Sequence, residues 1–144
     1  MSTEVGVIIP AQKIIPIKGA LKNYAWGSLT TLAKHRGGFQ SSEPEAELWF
    51  GDNVHGASMI LDSSTTLDVV TKNFGSLDFL VKILAVEKPL SLQVHPALED
   101  IPPRSTIFKD KNHKPEMLIA LNEFHALAGF APIDDVIARI SSLQ

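Results

Sequence analysis

Between Leu90 and Pro96 the chain reads "LSLQVHP", with apolar and polar residues at alternate positions. Strand side chains alternate between two faces. The pattern therefore predicts a strand in which Leu90, Leu92 and Val94 point one way and Ser91, Gln93 and His95 share the other face. Similar short runs recur along the chain. "IIPI" at 14–17 reads as an edge strand, because Pro16 has no N–H to give to a ladder. "AELWFG" and "ASMIL" read as strands separated by the polar turn "DNVHG". "LDFLVKILAVEKPLSLQVHP" reads as two strands joined at "EKP". "PEMLIALNEFHALAGF" reads as a strand pair turning near Asn122 and Glu123.

Helical spacing is confined to short stretches. In "TTLDVVTKNFG", Leu67, Val70 and Phe74 are three and four positions apart, and Gly75 stands at the C-terminal stop. "LTTLAKHR" is offered a cap by Ser28 and a stop by Gly37-Gly38. An amphipathic helix begins at Asp134 with "DDVIARISSLQ". Gln144 falls inside it with no cap, so the sequence is expected to be cut from a longer one. "GGFQSSEPE" and "EDIPPRSTIFKDKNHK" read as loops.

The sum is a mainly β domain, a sandwich or barrel with short peripheral helices. Its expected parts are an N-terminal extension at 1–13, a β domain portion at 14–132 and the start of a helical segment at 133–144.

Composition narrows the function. The 144 residues are 44% hydrophobic and 20% charged, which is enough for one domain with a core. A net charge of −3 without a run of Lys or Arg argues against nucleic acid and against a polybasic membrane anchor. The first residues lack a basic start and are broken by Pro10 and Pro16, so neither a signal peptide nor a membrane span is expected. Cysteine is absent, which excludes disulfides and thiolate metal sites and fits the cytoplasm.

The candidate chemistry begins with Gln93 and His95. On one strand face they offer an amide oxygen and an imidazole nitrogen to a single ion; a solvent-facing polar strand would show the same pattern. Glu116 opens the apolar run after Pro115, and a carboxylate entering a buried strand needs a counter-charge. A metal ion or a lysine would serve. Glu116 follows His95 by 21 positions, close enough in sequence for neighbouring strands. A zinc ion shared by both would bring their donor atoms within about 4 Å. His113 lies in a loop and reads as a surface or supporting residue. His35 and His125 read as structural, and His55 as solvated.

"PIKGALKNYAWGS", "AELWFGD", "LSLQVHP" and "NHKPEMLIAL" occur in this order, and from about Pro16 onward the chain resembles the type I phosphomannose isomerases. The resemblance implies a cupin-type, jelly-roll-like β-barrel and one zinc ion. It also implies interconversion of mannose 6-phosphate and fructose 6-phosphate, with a sugar phosphate as the small-molecule partner.

By the same resemblance, Gln93, His95 and Glu116 match three of four zinc ligands, and Lys114 matches a catalytic lysine at the substrate. Lys82 and Ser91 match pocket-lining positions. Trp26 matches an aromatic residue of the pocket wall, with core packing as its alternative. Glu47 and Trp49 are expected to organise the barrel.

Three features depart from the family. Its fourth zinc ligand, a histidine, and a substrate-binding arginine lie downstream of these 144 residues. The loop between "QVHP" and "NHKPE" is shorter. The turn after "AELW" reads Asp52-Asn53-Val54 in place of a His-Pro.

Aldose–ketose isomerisation moves a proton between C1 and C2. A metal acts there as Lewis acid and template, and a base must reach the C2 proton. Lys114, a water on the metal and a residue outside this chain are the candidates for that base. This chain alone is expected to bind zinc weakly and to turn over poorly. A non-catalytic cupin-like protein that binds sugar or metal is the competing reading.

Overall fold

The computed structural model describes residues 14–101 and 113–143. The N-terminal extension, most of the loop after Ile101, and Gln144 lie outside the described residues. The chain falls into two compact units divided between Leu92 and Gln93.

The first unit is built on a three-stranded antiparallel sheet. Its strands are β2 (Ala20–Lys22), β3 (Glu47–Phe50) and β5 (Val81–Leu84), in the order β2-β3-β5. Leu21 pairs with Leu48 and Leu48 with Ile83; Ala20 pairs with Trp49 and Trp49 with Lys82. Residues alternate across the pleat, so the register sorts the sheet into two unlike faces. Leu21, Leu48, Phe50 and Ile83 line the apolar face and gather around Leu32 and Ala85. Lys22, Glu47, Trp49 and Lys82 line the other.

Leu32 is fully buried and comes from α1 (Thr31–His35), which lies against the apolar face. Ser28 Oγ accepts the N–H groups of Thr30 and Thr31 at the start of α1. At its end Gly37 has φ +88°, its N–H reaches the Lys34 carbonyl, and the Gly38 N–H reaches the Ala33 carbonyl. This glycine-closed end satisfies the last carbonyls, as the Ser28 and Gly37-Gly38 pattern predicts.

β1 (Ile17–Lys18) and β4 (Met59–Ile60) form a separate antiparallel pair. The "IIPI" strand thus begins one residue after Pro16, where an N–H is again available. α2 (Leu67–Thr71) buries Leu67 and Val70. Phe74 does not extend that stripe. It lies beyond the end of α2, in the turn that closes at Gly75 with φ +94°, and is 79% exposed.

The second unit has a 3-10 turn (Leu98–Asp100) and α3 (Ile133–Ser141), which carries Ile133, Val136, Ile137 and Ile140 on one stripe. The strands expected at 90–96, 115–121 and 124–130 are not formed; residues 89–97 and 113–130 run outside any strand. Alternation or an apolar run states a strand tendency, but a strand also needs a neighbour to accept its ladder bonds. The apolar residues of these runs accordingly stand open, with Leu92 94% and Phe130 97% exposed. The fold is thus small sheets with few helices. Among the described residues no helix is long and apolar enough to cross a membrane.

Candidate metal and substrate site

In the second unit, His95 and Lys114 each stand immediately before a proline, Pro96 and Pro115. A residue in that position is driven out of the helical region toward extended backbone. Both segments therefore run open, and residues 95–97 and 113–116 line one cleft. There the Glu116 carboxylate is held from two sides. Its Oε2 lies 2.9 Å from His95 Nε2, and its Oε1 lies 3.0 Å from Lys114 Nζ. Burial pushes the Glu116 carboxyl up, but the hydrogen bonds from Lys114 and His95, with their charges, outweigh it. The carboxyl sits below its ordinary value and stays ionised.

The structure thus brings His95, Lys114 and Glu116 together, and the His95 and Glu116 donors, expected within about 4 Å of each other, lie 2.9 Å apart. His113 borders the same cleft. His125 instead contacts Glu123 at the surface. Ser91 and Gln93 lie on the stretch outside any strand, so the shared strand face expected for them with His95 is not formed. Among the described residues, no three His, Asp or Glu side chains converge as a metal cluster.

In the first unit, Lys82 projects from β5 on the polar face of the sheet. Its Nζ lies 4.6 Å from the Trp49 ring centroid and 3.7 Å from Glu47 Oε1. The Trp49 indole N–H donates to Glu47 Oε2 at 2.6 Å. Lys22 Nζ approaches the same ring at 4.5 Å and donates to the His55 carbonyl. Trp26 stacks on Tyr24 with ring centroids 5.7 Å apart, and its carbonyl accepts the N–H groups of Glu87 and Lys88.

The linkage of Lys82 to Glu47 and Trp49 escapes a reading of each motif by itself. Its signal is the alternation in "AELWF" and "VKIL", which sets all three side chains on one face once the strands are paired in register.

Residues 14–133 match the model of the phosphomannose isomerase type I catalytic domain. The chain is 35% identical to mannose-6-phosphate isomerase of Homo sapiens, over 92% of this chain and 38% of that protein. It is 36% identical to the Escherichia coli (strain K12) enzyme of that name, over 90% of this chain and 40% of that protein. Among solved structures it is similar to a mutant of phosphomannose isomerase from Salmonella typhimurium. The TM-score is 0.54 at 31% identity, covering 69% of this chain and 33% of the other. It is also similar to a mannose 6-phosphate isomerase bound with zinc and yttrium, with a TM-score of 0.51 at 31% identity, covering 67% and 32%. The chain spans 38% and 40% of the lengths of the human and E. coli proteins. By the match to its catalytic-domain model and by these relatives, the chain belongs to the type I phosphomannose isomerase family.

Proposed function

We propose that this chain carries part of a zinc-dependent site that interconverts mannose 6-phosphate and fructose 6-phosphate. The observation that supports it most is the 2.9 Å contact between His95 Nε2 and Glu116 Oε2. Two zinc ligands at about 2.0–2.2 Å and a tetrahedral angle stand roughly 3.3 Å apart, so small side-chain movements would admit the ion. The donor chemistry fits. His95 offers a borderline-soft nitrogen and Glu116 an ionised oxygen, and Gln93 is the third ligand by family likeness.

Bound there, the metal would polarise the sugar carbonyl and orient its neighbouring oxygen. Lys114 acts beside it, its ammonium held at Glu116 and available to charge that develops on the substrate. Lys82, Ser91 and Trp26 bind the sugar phosphate in this reading. The fold it implies is a cupin-type barrel portion over 14–132, after an extension at 1–13 and before a helical segment at 133–144. The setting it implies is the cytoplasm.

One observation favours the second reading, a non-catalytic cupin-like sugar or metal binder. Among the described residues no three His, Asp or Glu side chains converge as a metal cluster.

The test is a coupled assay of fructose 6-phosphate formation. It is run on this chain alone and on a chimera that adds the remaining portion of the E. coli relative. The isomerase reading expects turnover by the zinc-loaded chimera, cut by about a hundredfold or more in Glu116→Gln. A folded, zinc-loaded chimera without turnover would favour the binder.

A further inference from the structure

We propose that Glu47 and Trp49 are positioning residues that hold the Lys82 ammonium for the anionic group of the substrate. The inference rests on the reading above for one point, that Lys82 meets the sugar phosphate. Lysine is a point charge on a flexible four-carbon stem, with no fixed direction of its own. A site that relies on it must fix it from outside, or lose affinity to the entropy of ordering that stem.

The sheet register supplies the means. Trp49 pairs directly with Lys82, and Lys22 pairs with Glu47, so all four side chains share one face. The indole N–H grips Glu47 Oε2 at 2.6 Å, which leaves Oε1 turned toward Lys82 at 3.7 Å. The ring of the same tryptophan lies 4.6 Å from the Lys82 ammonium, within the range of a cation–π contact. Trp49 thus acts twice, directly through its ring and indirectly through the carboxylate it orients. Glu47 is buried, so its carboxylate is fixed in place.

Lys22 completes the arrangement from the opposite flanking strand. Its ammonium approaches Trp49 at 4.5 Å and is committed to the His55 carbonyl. A Cβ on Gly56 would stand 2.6 Å from Lys22 Nζ and 3.2 Å from the Trp49 ring, so the 53–56 turn lies directly against both. The ring is thereby braced on the β2 side while Lys82 stands on the β5 side. Two ammonium groups and one carboxylate leave this cluster with a net positive charge, which suits an anion.

The experiment measures dissociation constants of the zinc-loaded chimera described above for mannose 6-phosphate and for inorganic phosphate, with each variant made in the 144-residue portion. The variants are Glu47→Gln, Trp49→Leu, Trp49→Phe and Lys82→Gln, singly and combined with Lys82→Gln. Selective labelling of lysine reports the Lys82 methylene resonances in the same samples. Glu47→Gln and Trp49→Leu are expected to weaken binding by about three- to tenfold, and to have no further effect when Lys82 is already Gln. Trp49→Phe, which keeps a ring, is expected to fall between wild type and Trp49→Leu. Unchanged affinity in the single variants would overturn the proposal. So would an equal loss with and without Lys82, since a general structural effect would not depend on that lysine.

If the unsubstituted chimera binds neither ligand, the substrate reading fails, and the lysine resonances decide the positioning alone. Lys82 methylene signals shifted upfield by the ring, and restored in Trp49→Leu, support it. Free-lysine positions in the unsubstituted chimera refute it.

Discussion

His95 Nε2 and Glu116 Oε2 meet at 2.9 Å although 21 positions separate them in the chain. Lys114 takes the other oxygen of the same carboxylate, so Glu116 is the hinge of the cleft. All three side chains keep substantial exposure, and exposed ion pairs contribute little to stability. His95→Ala and Glu116→Gln should therefore each lower unfolding free energy by less than about 1 kcal/mol in metal-free protein. Urea unfolding checks this. A larger loss would mean that the cluster is structural, and loss of zinc in these variants would then not report ligation.

Gly27 shows the opposite behaviour. A Cβ there would stand 2.5 Å from the Glu45 carbonyl carbon and 2.6 Å from the Ala46 nitrogen. Backbone cannot swing aside as a side-chain end can. Gly27→Ala is expected to cost about 2–3 kcal/mol by forcing the Gly27–Ser28 segment away from Glu45–Ala46. Thermal unfolding measures it, and an unchanged midpoint would contradict the close approach.

Leu32 is fully buried at the centre of the apolar cluster with Leu48 and Ala85. Its truncation removes transfer energy and leaves a cavity. Leu32→Ala should cost about 3 kcal/mol. In contrast, Phe74→Ala should lie within about 0.5 kcal/mol of wild type, because Phe74 stands in solvent. Equal losses in the two variants would contradict the placement of the core.

Asp52 links the turn after β3 to the end of α2. It accepts hydrogen bonds from Thr71 Oγ1 at 2.7 Å, Ser76 Oγ at 3.0 Å and the Leu77 N–H at 3.0 Å. Burial pushes its carboxyl up, but these donors outweigh burial and leave it below the ordinary value. The native state thus holds this proton less readily than the unfolded chain. The resulting stabilisation is complete above the ordinary aspartate value of about 3.9 and is lost as pH falls through the depressed native value. Asp52→Asn should cost about 1–3 kcal/mol near neutral pH. It should also flatten the acid side of the stability curve, and identical acid slopes in the two proteins would contradict this.

The parts of this molecule that are legible in the sequence are those fixed by local chemistry. Ser28 and Gly37-Gly38 mark the two ends of α1 because a hydroxyl acceptor and a left-handed closing residue act within a few positions. "AELWF" and "VKIL" announce strands because they are short runs rich in apolar, β-branched and aromatic residues. The alternating "LSLQVHP" and the continuous apolar run of "PEMLIAL" read as strands without forming them, since neither pattern supplies a partner for the ladder. Phe74 fits the helical period, but α2 ends at Thr71 before the stripe reaches it. The meeting of His95 with Glu116 follows from ligand reasoning. The grip of Glu47 and Trp49 on Lys82 becomes legible only once the register of β3 and β5 is known.

The most direct test of the metal reading is a zinc titration of the 144-residue chain against a chromophoric chelator, with His95→Ala and Glu116→Ala beside it. The account predicts one zinc per chain, bound weakly, with affinity reduced by about tenfold or more in either variant. Zinc binding that survives both substitutions, or that disappears instead with His113→Ala or His125→Ala, would contradict it.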